Sequence, residues 1–208
     1  MTPLPAYDAI LLAGGSARRL GGVDKAGVQV AGRSLGARTA AAVADAGRLV
    51  VVGGAHAGLH PRMVLTQEDP PGTGPVAATA AGLRLVTAAY VAVLACDLPF
   101  LTADAIAALR TALVAAPGVS AAMPVDARGS DQPLCSVWRS GALGEALARF
   151  GDVAGASVRA LVAHAEPVIR LPAPSTVADG RPPPWFDCDT ADDLARADAW
   201  AKTGFEPA

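Results

Sequence analysis

Short apolar runs alternate with longer alanine-rich stretches through the first half of this chain. The alternation predicts strands and helices in turn. Tyr7 to Leu12 reads as a first strand, and Leu49-Val50-Val51-Val52 as a short strand buried on both faces. Between them Ser34 caps a helix running to about Ala46, closed by Gly47. Met63-Val64-Leu65 predicts another strand, leading into a loop from Gln67 to Pro75. Val76 to Thr87 reads as helix and Tyr90 to Ala95 as a central strand. Thr102 then caps a helix whose Ile106, Leu109 and Leu113 recur on one face. Strand and helix in this order indicate a parallel sheet with right-handed crossovers.

The second half changes character. Ala121 to Val125 and Gln132 to Trp138 flank Asp126 to Asp131, the pattern of a hairpin connection. Helices are predicted over about Ser140 to Phe150 and Ala156 to His164. A strand near Val168 to Leu171 and a proline-rich loop from Pro172 to Pro184 follow. Thr190 with Asp193 resembles a capping box for a last helix reaching about Ala201. The fold class expected is therefore α/β, a mostly parallel central sheet flanked by helices with a small antiparallel portion in the second half. No repeat and no linker divides the chain, so residues 1–208 read as one domain.

Composition narrows the class further. An apolar fraction of 52% against a charged fraction of 17% fits a compact α/β enzyme and argues against disorder. A formal net charge of −2 excludes a nucleic-acid backbone as the main partner, so any attraction for anions is local. Cys96, Cys135 and Cys188 are spaced for neither zinc nor disulfides and read as buried small residues. His56 and His60 sit four apart, but Gly58 and Pro61 spoil the helix a metal pair needs. No signal segment or membrane span is read from the sequence, and the expected location is the cytoplasm.

The strand ending at Leu12 runs into Ala13-Gly14-Gly15-Ser16-Ala17-Arg18-Arg19-Leu20-Gly21-Gly22-Val23-Asp24-Lys25. A glycine-rich bend at a strand's end lets backbone N–H groups approach and point at an anion. Arg18, Arg19 and Lys25 add charge suited to a polyphosphate. The bend is neither a P-loop nor a dinucleotide fingerprint, because Lys25 follows Asp24 and no Gly-x-Gly-x-x-Gly is present. A triphosphate cradle is the sharper reading and a solvated surface loop the blander one.

Three acidic stretches complete the candidates. Asp97, in Cys96-Asp97-Leu98-Pro99, follows the central strand, where open α/β sheets collect ligands. A carboxylate there repels a triphosphate unless a hard cation such as Mg²⁺ lies between them. Asp69 lies in the loop before Gly72 to Pro75. Asp187 and Asp189 alternate along an extended segment and face one side of it.

The segment Leu11 to Lys25 closely resembles the signature Leu-Ala-Gly-Gly-x-x-x-Arg-Met-Gly-Gly-x-Asp-Lys of the molybdenum cofactor guanylyltransferases, the MobA-type nucleotidyltransferases. Leu20 stands where Met is usual. Cys96-Asp97-Leu98-Pro99 matches the family's Cys-Asp-x-Pro, whose Asp holds magnesium. Gly74-Pro75-Val76-Ala77-Ala78 resembles its Gly-Pro-Leu-Ala-Gly, and Asp187-Cys188-Asp189-Thr190 its Asn-x-Asn-Thr. Here both Asn are Asp, and Gly53-Gly54 stand where relatives often carry a nucleotide-contacting Asn.

What the resemblance implies follows. The fold is a Rossmann-like nucleotidyltransferase fold, with a nucleotide-binding half over about 1–100 and an acceptor-binding half over about 101–208. The enzyme transfers GMP from GTP to the terminal phosphate of molybdenum-bound molybdopterin. Arg19, Lys25 and Asp97 are catalytic; Leu12, Ala13, Gly14, Gly15, Lys25, Asp69 and Asp97 bind nucleotide; Asp97 and Asp189 hold Mg²⁺. Asp131, Gln132 and Arg159 are candidates for the acceptor side. The nucleophile is a phosphate monoester, already anionic with a second pKa of about 6, so no general base is needed. No membrane or nucleic acid takes part, and transient contact with molybdenum-cofactor synthesis or acceptor proteins is compatible with the reading. Two alternatives stand beside it: the same chemistry with CTP or with a sugar or cobinamide phosphate, and a non-catalytic nucleotide-binding module.

Overall fold

The computed structural model describes residues 3–14, 16–17, 23–53, 63–172 and 181–204. Its first strand, β1 (Tyr7–Leu12), is buried at every position. Two short antiparallel ribbons follow, β2 (Ser16–Ala17) with β3 (Val23–Asp24), and β4 (Gln29–Val30) with β5 (Arg33–Ser34). Lys25–Gly27 makes a 3₁₀ turn between the ribbons. Then come α1 (Leu35–Ala41), β6 (Leu49–Val52), β7 (Met63–Thr66), α2 (Pro75–Leu83) and β8 (Tyr90–Ala95). The second half runs α3 (Ala103–Ala115), β9 (Ala121–Pro124), β10 (Cys135–Arg139), α4 (Ser140–Phe150), α5 (Val158–Ala163), β11 (Val168–Leu171) and α6 (Ala191–Lys202).

Seven strands share one sheet in the order β11-β9-β10-β8-β1-β6-β7. Only β10 runs against the others, pairing antiparallel with both β8 and β9. The expected α/β architecture is present, and β10 is its antiparallel part. After β7 at one edge the chain crosses back and lays β8 on the other side of β1. Strand order therefore reverses between β1 and β8, where Leu12 pairs with Ala95. Ligands collect beyond the carboxyl ends of strands at such a point.

Helices cover both faces. Ala40, Ile106, Leu109 and Leu113 bring α1 and α3 onto one side, against Leu11, Ala92 and Leu94. Val76, Ala81, Leu143, Ala146 and Leu161 bring α2, α4 and α5 onto the other. Helix α2 presses so close that a Cβ on Gly82 would sit 2.7 Å from the Ile10 side chain. A third, smaller core of Val30, Leu35, Phe100, Cys188 and Ala197 seats α6 on the β4–β5 ribbon. Phe186 meets Trp200 edge-on at 5.1 Å, and Asp198 Oδ1 accepts the Ala31 N–H at 2.9 Å.

Several boundaries differ from expectation: β10 begins at Cys135, not Gln132, and three helices shift by two residues or more. Helix α1 stops at Ala41, not Ala46; Ala42, Val43 and Ala44 instead make tighter i→i+3 bonds before Gly47 donates to Tyr7 O. Helix α2 stops at Leu83, not Thr87, because the buried Asp8 carboxylate accepts from the Thr87 and Ala88 N–H groups at 2.7 and 3.0 Å. Helix α5 starts at Val158 with Ser157 as its cap, two residues later than Ala156. The two ribbons had no sequence signal. Ala31-Gly32, both at positive φ (49° and 76°), turns the second without the usual Asn-Gly.

Candidate active site

The rim of the sheet is stitched strand to strand. Gly53 N–H donates to Thr66 O at 3.0 Å, Ala13 N–H to Val52 O at 2.8 Å, and Cys96 N–H to Leu12 O at 3.2 Å. The segments leaving β1 and β8 therefore emerge side by side. Gly53 is required here: it has φ 88°, and a Cβ would lie 2.5 Å from Gly14 Cα. Side chains rarely adopt that conformation, and none fits that gap.

Lys25 lies at the centre. Asp24 caps its 3₁₀ turn by accepting from Ala26 N–H at 3.1 Å. Lys25 Nζ reaches Asp97 Oδ2 and also Asp189 Oδ1, the latter at 2.5 Å. Cys188 N–H donates to Asp97 O at 3.3 Å, tying the chain before α6 to the loop after β8. One ammonium thus joins three segments that are far apart in sequence.

Burial and charge oppose each other here. Burial alone lowers the Lys25 pKa, but Asp97 and Asp189 more than reverse it, so the ammonium is held charged. Burial pushes the Asp97 carboxyl up, and Lys25 pulls it only partly back. Asp187 is raised by burial and then by the charges of Asp189 and Asp97. Asp97 Oδ1 is buried without a hydrogen-bond partner. A buried carboxylate oxygen left open beside a second carboxylate suits a hard cation. No group of three metal-ligating side chains forms among the described residues.

A cavity of about 740 Å³ opens over this rim. Leu12, Gly14, Lys25, Asp97 and Asp189 line it, as does Asp187. Its far wall comes from the second half, through Gln132, Ser157, Arg159 and Trp185. Asp69 is exposed and outside the lining, whereas its neighbour Glu68 is buried and inside it. Glu68 Oε1 accepts the Gly72 N–H at 2.9 Å, and Oε2 is buried without a partner. Sequence reasoning missed Glu68 because two adjacent acids carry no sign of which faces inward.

Ala13 is buried beside the cavity, its N–H engaged by Val52. Asp131 lies outside the lining and is held by Arg170 in a two-pronged contact at 2.8 and 3.1 Å. Gly15, Arg18, Arg19, Leu20, Gly21, Gly22, Gly54, His56 and His60 lie outside the described residues. All three cysteines are buried, and burial pushes the Cys96 and Cys135 thiols up to about 12. Neither supplies a thiolate at neutral pH.

An open α/β sheet with a glycine bend, a paired lysine and facing carboxylates at its switch point defines a phosphate-handling nucleotide protein. Residues 9–168 match the MobA-like NTP transferase domain, and the chain belongs to that family. It is 31% identical over 157 residues to a molybdenum cofactor guanylyltransferase of Burkholderia orbicola, covering 70% of this chain and 77% of that one. A probable molybdenum cofactor guanylyltransferase of Natronomonas pharaonis is 30% identical over 90% of this chain and 95% of its own. The crystal structure of molybdopterin-guanine dinucleotide biosynthesis protein A from Archaeoglobus fulgidus superposes with a TM-score of 0.73 at 21% identity. It covers 94% of this chain and 99% of that one. The last likeness establishes the fold.

Proposed function

We propose that this protein transfers GMP from GTP to the terminal phosphate of molybdenum-bound molybdopterin, forming the guanine dinucleotide cofactor. The observation that carries the reading is Lys25 bridging Asp97 and Asp189 inside a cavity walled by both halves. The relatives named above supply the substrate pair. An acceptor phosphate oxygen attacks the α-phosphorus, the bond from that phosphorus to its bridging oxygen breaks, and pyrophosphate leaves with the electron pair. No proton moves, which fits described lining residues that include no histidine and whose cysteines, Cys96 and Cys135, are held as thiols by burial.

Positioning and charge do the rest. Lys25, kept cationic by its carboxylates, neutralises charge developing on the α-phosphate. The glycine bend and Arg19 hold the outer phosphates. Asp97 and Asp189 would hold Mg²⁺, and the open Asp97 Oδ1 suits it; that ion, when bound, neutralises phosphate oxygens. Leu12 and Gly14 floor the nucleotide, and Gln132 and Arg159 face the acceptor.

Guanine is favoured over cytosine by Glu68. Its open Oε2 demands a donor. Guanine offers N1–H and an amino group side by side, whereas cytosine sets a bare ring nitrogen beside its amino group. Among the described residues no helix is long and apolar enough to cross a membrane. Work in the cytoplasm, with transient contact to cofactor-synthesis or acceptor proteins, belongs to the same reading.

The test is pyrophosphate release with purified protein, Mg²⁺ and loaded acceptor, comparing GTP with CTP. Release with GTP that depends on acceptor supports the proposal. Equal release with CTP removes the base assignment, and no release with any triphosphate removes the enzyme.

A further inference from the structure

Asp97 owes its placement to three backbone tethers on the tripeptide that carries it. Cys96 N–H donates to Leu12 O at 3.2 Å, and Asp97 O accepts from Cys188 N–H at 3.3 Å. Leu98 N–H donates to Thr39 Oγ1 at 3.3 Å. The first two join backbone to backbone and survive any substitution that preserves the fold. The third ends on a side chain, so it alone can be cut by exchanging one residue.

Thr39 is fully buried on α1. A valine would fill the same volume. What valine lacks is the hydroxyl. That group accepts from Leu98 N–H and lies within 3.2 Å of Leu35 O and 3.3 Å of Leu98 O, either of which takes its proton. Without it the Leu98 N–H, one residue past the carboxylate, has no such partner in a buried place.

The same helix holds the other end of the ion pair. Arg38, the preceding residue, sends Nε and Nη2 to Val30 O at 3.0 and 2.8 Å. Leu35 N–H donates to Val28 O at 2.8 Å, just beyond the Lys25 turn. Helix α1 therefore grips both the segment after Lys25 and the segment after Asp97. It acts as a caliper between them.

We propose that Thr39 is a positioning residue for the reaction, fixing the Asp97 carboxylate at the distance from Lys25 that cation binding and phosphoryl chemistry require. The inference rests on Asp97 serving as the cation ligand of a nucleotidyl transfer. Thr39 lies outside the cavity lining, so its exchange for valine should leave the Glu68 side unchanged. Misplacement of a reacting constellation by about 1 Å lowers rates by up to about 10²-fold. Turnover and cation affinity therefore suffer while GTP binding does not.

The experiment compares Thr39→Val, Thr39→Ser and Asp97→Asn in the full chain. It measures kcat, KM for GTP, thermal midpoint, and Mn²⁺ binding by electron paramagnetic resonance with an α,β-methylene GTP analogue. Thr39→Val should lower kcat by about tenfold or more and weaken Mn²⁺ several-fold, with KM for GTP within about twofold. Thr39→Ser should restore both. If Thr39→Val does not fold, Thr39→Ala is read against Thr39→Ser by the same two measurements. Wild-type kcat and Mn²⁺ affinity in Thr39→Val, or equal impairment in Thr39→Ser, overturns the proposal. Unchanged Mn²⁺ affinity and turnover in Asp97→Asn instead overturns the reading of Asp97 on which it stands.

Discussion

Lys25 and Asp189, 164 positions apart in sequence, meet at 2.5 Å through an ammonium that also contacts Asp97. A divalent ion held by these carboxylates, as proposed, would compete with that ammonium for them. Asp189→Asn should weaken Mn²⁺ binding about tenfold in calorimetric titration. Asp189 is half-exposed, and exposed pairs contribute only about 0–1 kcal/mol, so its thermal midpoint should barely move. Lys25→Ala should lower kcat by on the order of 10²–10³. Near-normal turnover in Lys25→Ala would remove its assigned role.

Glu68→Gln keeps an oxygen for Gly72 N–H but places an amide nitrogen where Oε2 stood. If Glu68 accepts from guanine as proposed, a donor would then face a donor. Hydrogen bonds to charged groups contribute about 1.5–3 kcal/mol. KM for GTP should therefore rise about tenfold or more, with a smaller change for CTP. Asp69→Asn, an exposed neighbour, is the control and should change neither.

Gly53→Ala puts a methyl group against Gly14 and holds a side chain at φ 88°. Strain of this kind costs about 1–3 kcal/mol. A lower thermal midpoint is expected, together with weaker GTP binding by fluorescence titration. A variant with wild-type stability and affinity would show that the bends separate freely.

Thr190 and Asp193 cap α6 reciprocally, Asp193 N–H donating to Thr190 Oγ1 at 3.1 Å and Asp193 Oδ2 accepting from Thr190 N–H at 3.0 Å. The Thr190 hydroxyl is the main reason the Asp193 carboxyl titrates below the usual range. A depressed pKa adds stability above the unfolded value, about 3.9, and that stability is lost as pH falls through the folded value. Thr190→Ala should cost about 1 kcal/mol at pH 7. The difference in thermal midpoint between wild type and Asp193→Asn should shrink as pH drops below about 4.

The main-sheet strands were legible where an apolar run is bounded by turn residues, Leu49–Val52 and Tyr90–Ala95 being the plainest cases, whereas the two-residue ribbon strands carry no such run. The end of α2 was not, since Asp8 captures Thr87 and Ala88 from 79 and 80 positions away and no local pattern records it, whereas α4 and the Ser34, Thr102 and Thr190 caps stand where expected. Asp97 was placed beside Gly14 because strand ends converge on one rim, whereas the roles of Lys25 and Asp189 came from the motifs that resemble the family's. Glu68 escaped: side-chain direction in a loop depends on the bond to Gly72, and neither residue advertises it. Thr39 escaped for a similar reason, its hydroxyl looking like any helical threonine until Leu98 lies beside it.

β10 has one more consequence. A reversed strand begins at the edge where its parallel neighbours finish, so Gln132, Pro133 and Leu134, which precede it, reach the same cavity as Gly14 and Asp97, which follow theirs. Entry loops and exit loops thus share one mouth while belonging to unconnected stretches of chain. Evolution can rewrite the receiving wall by altering the approach to a single strand, and the donor machinery, anchored elsewhere, need not change at all.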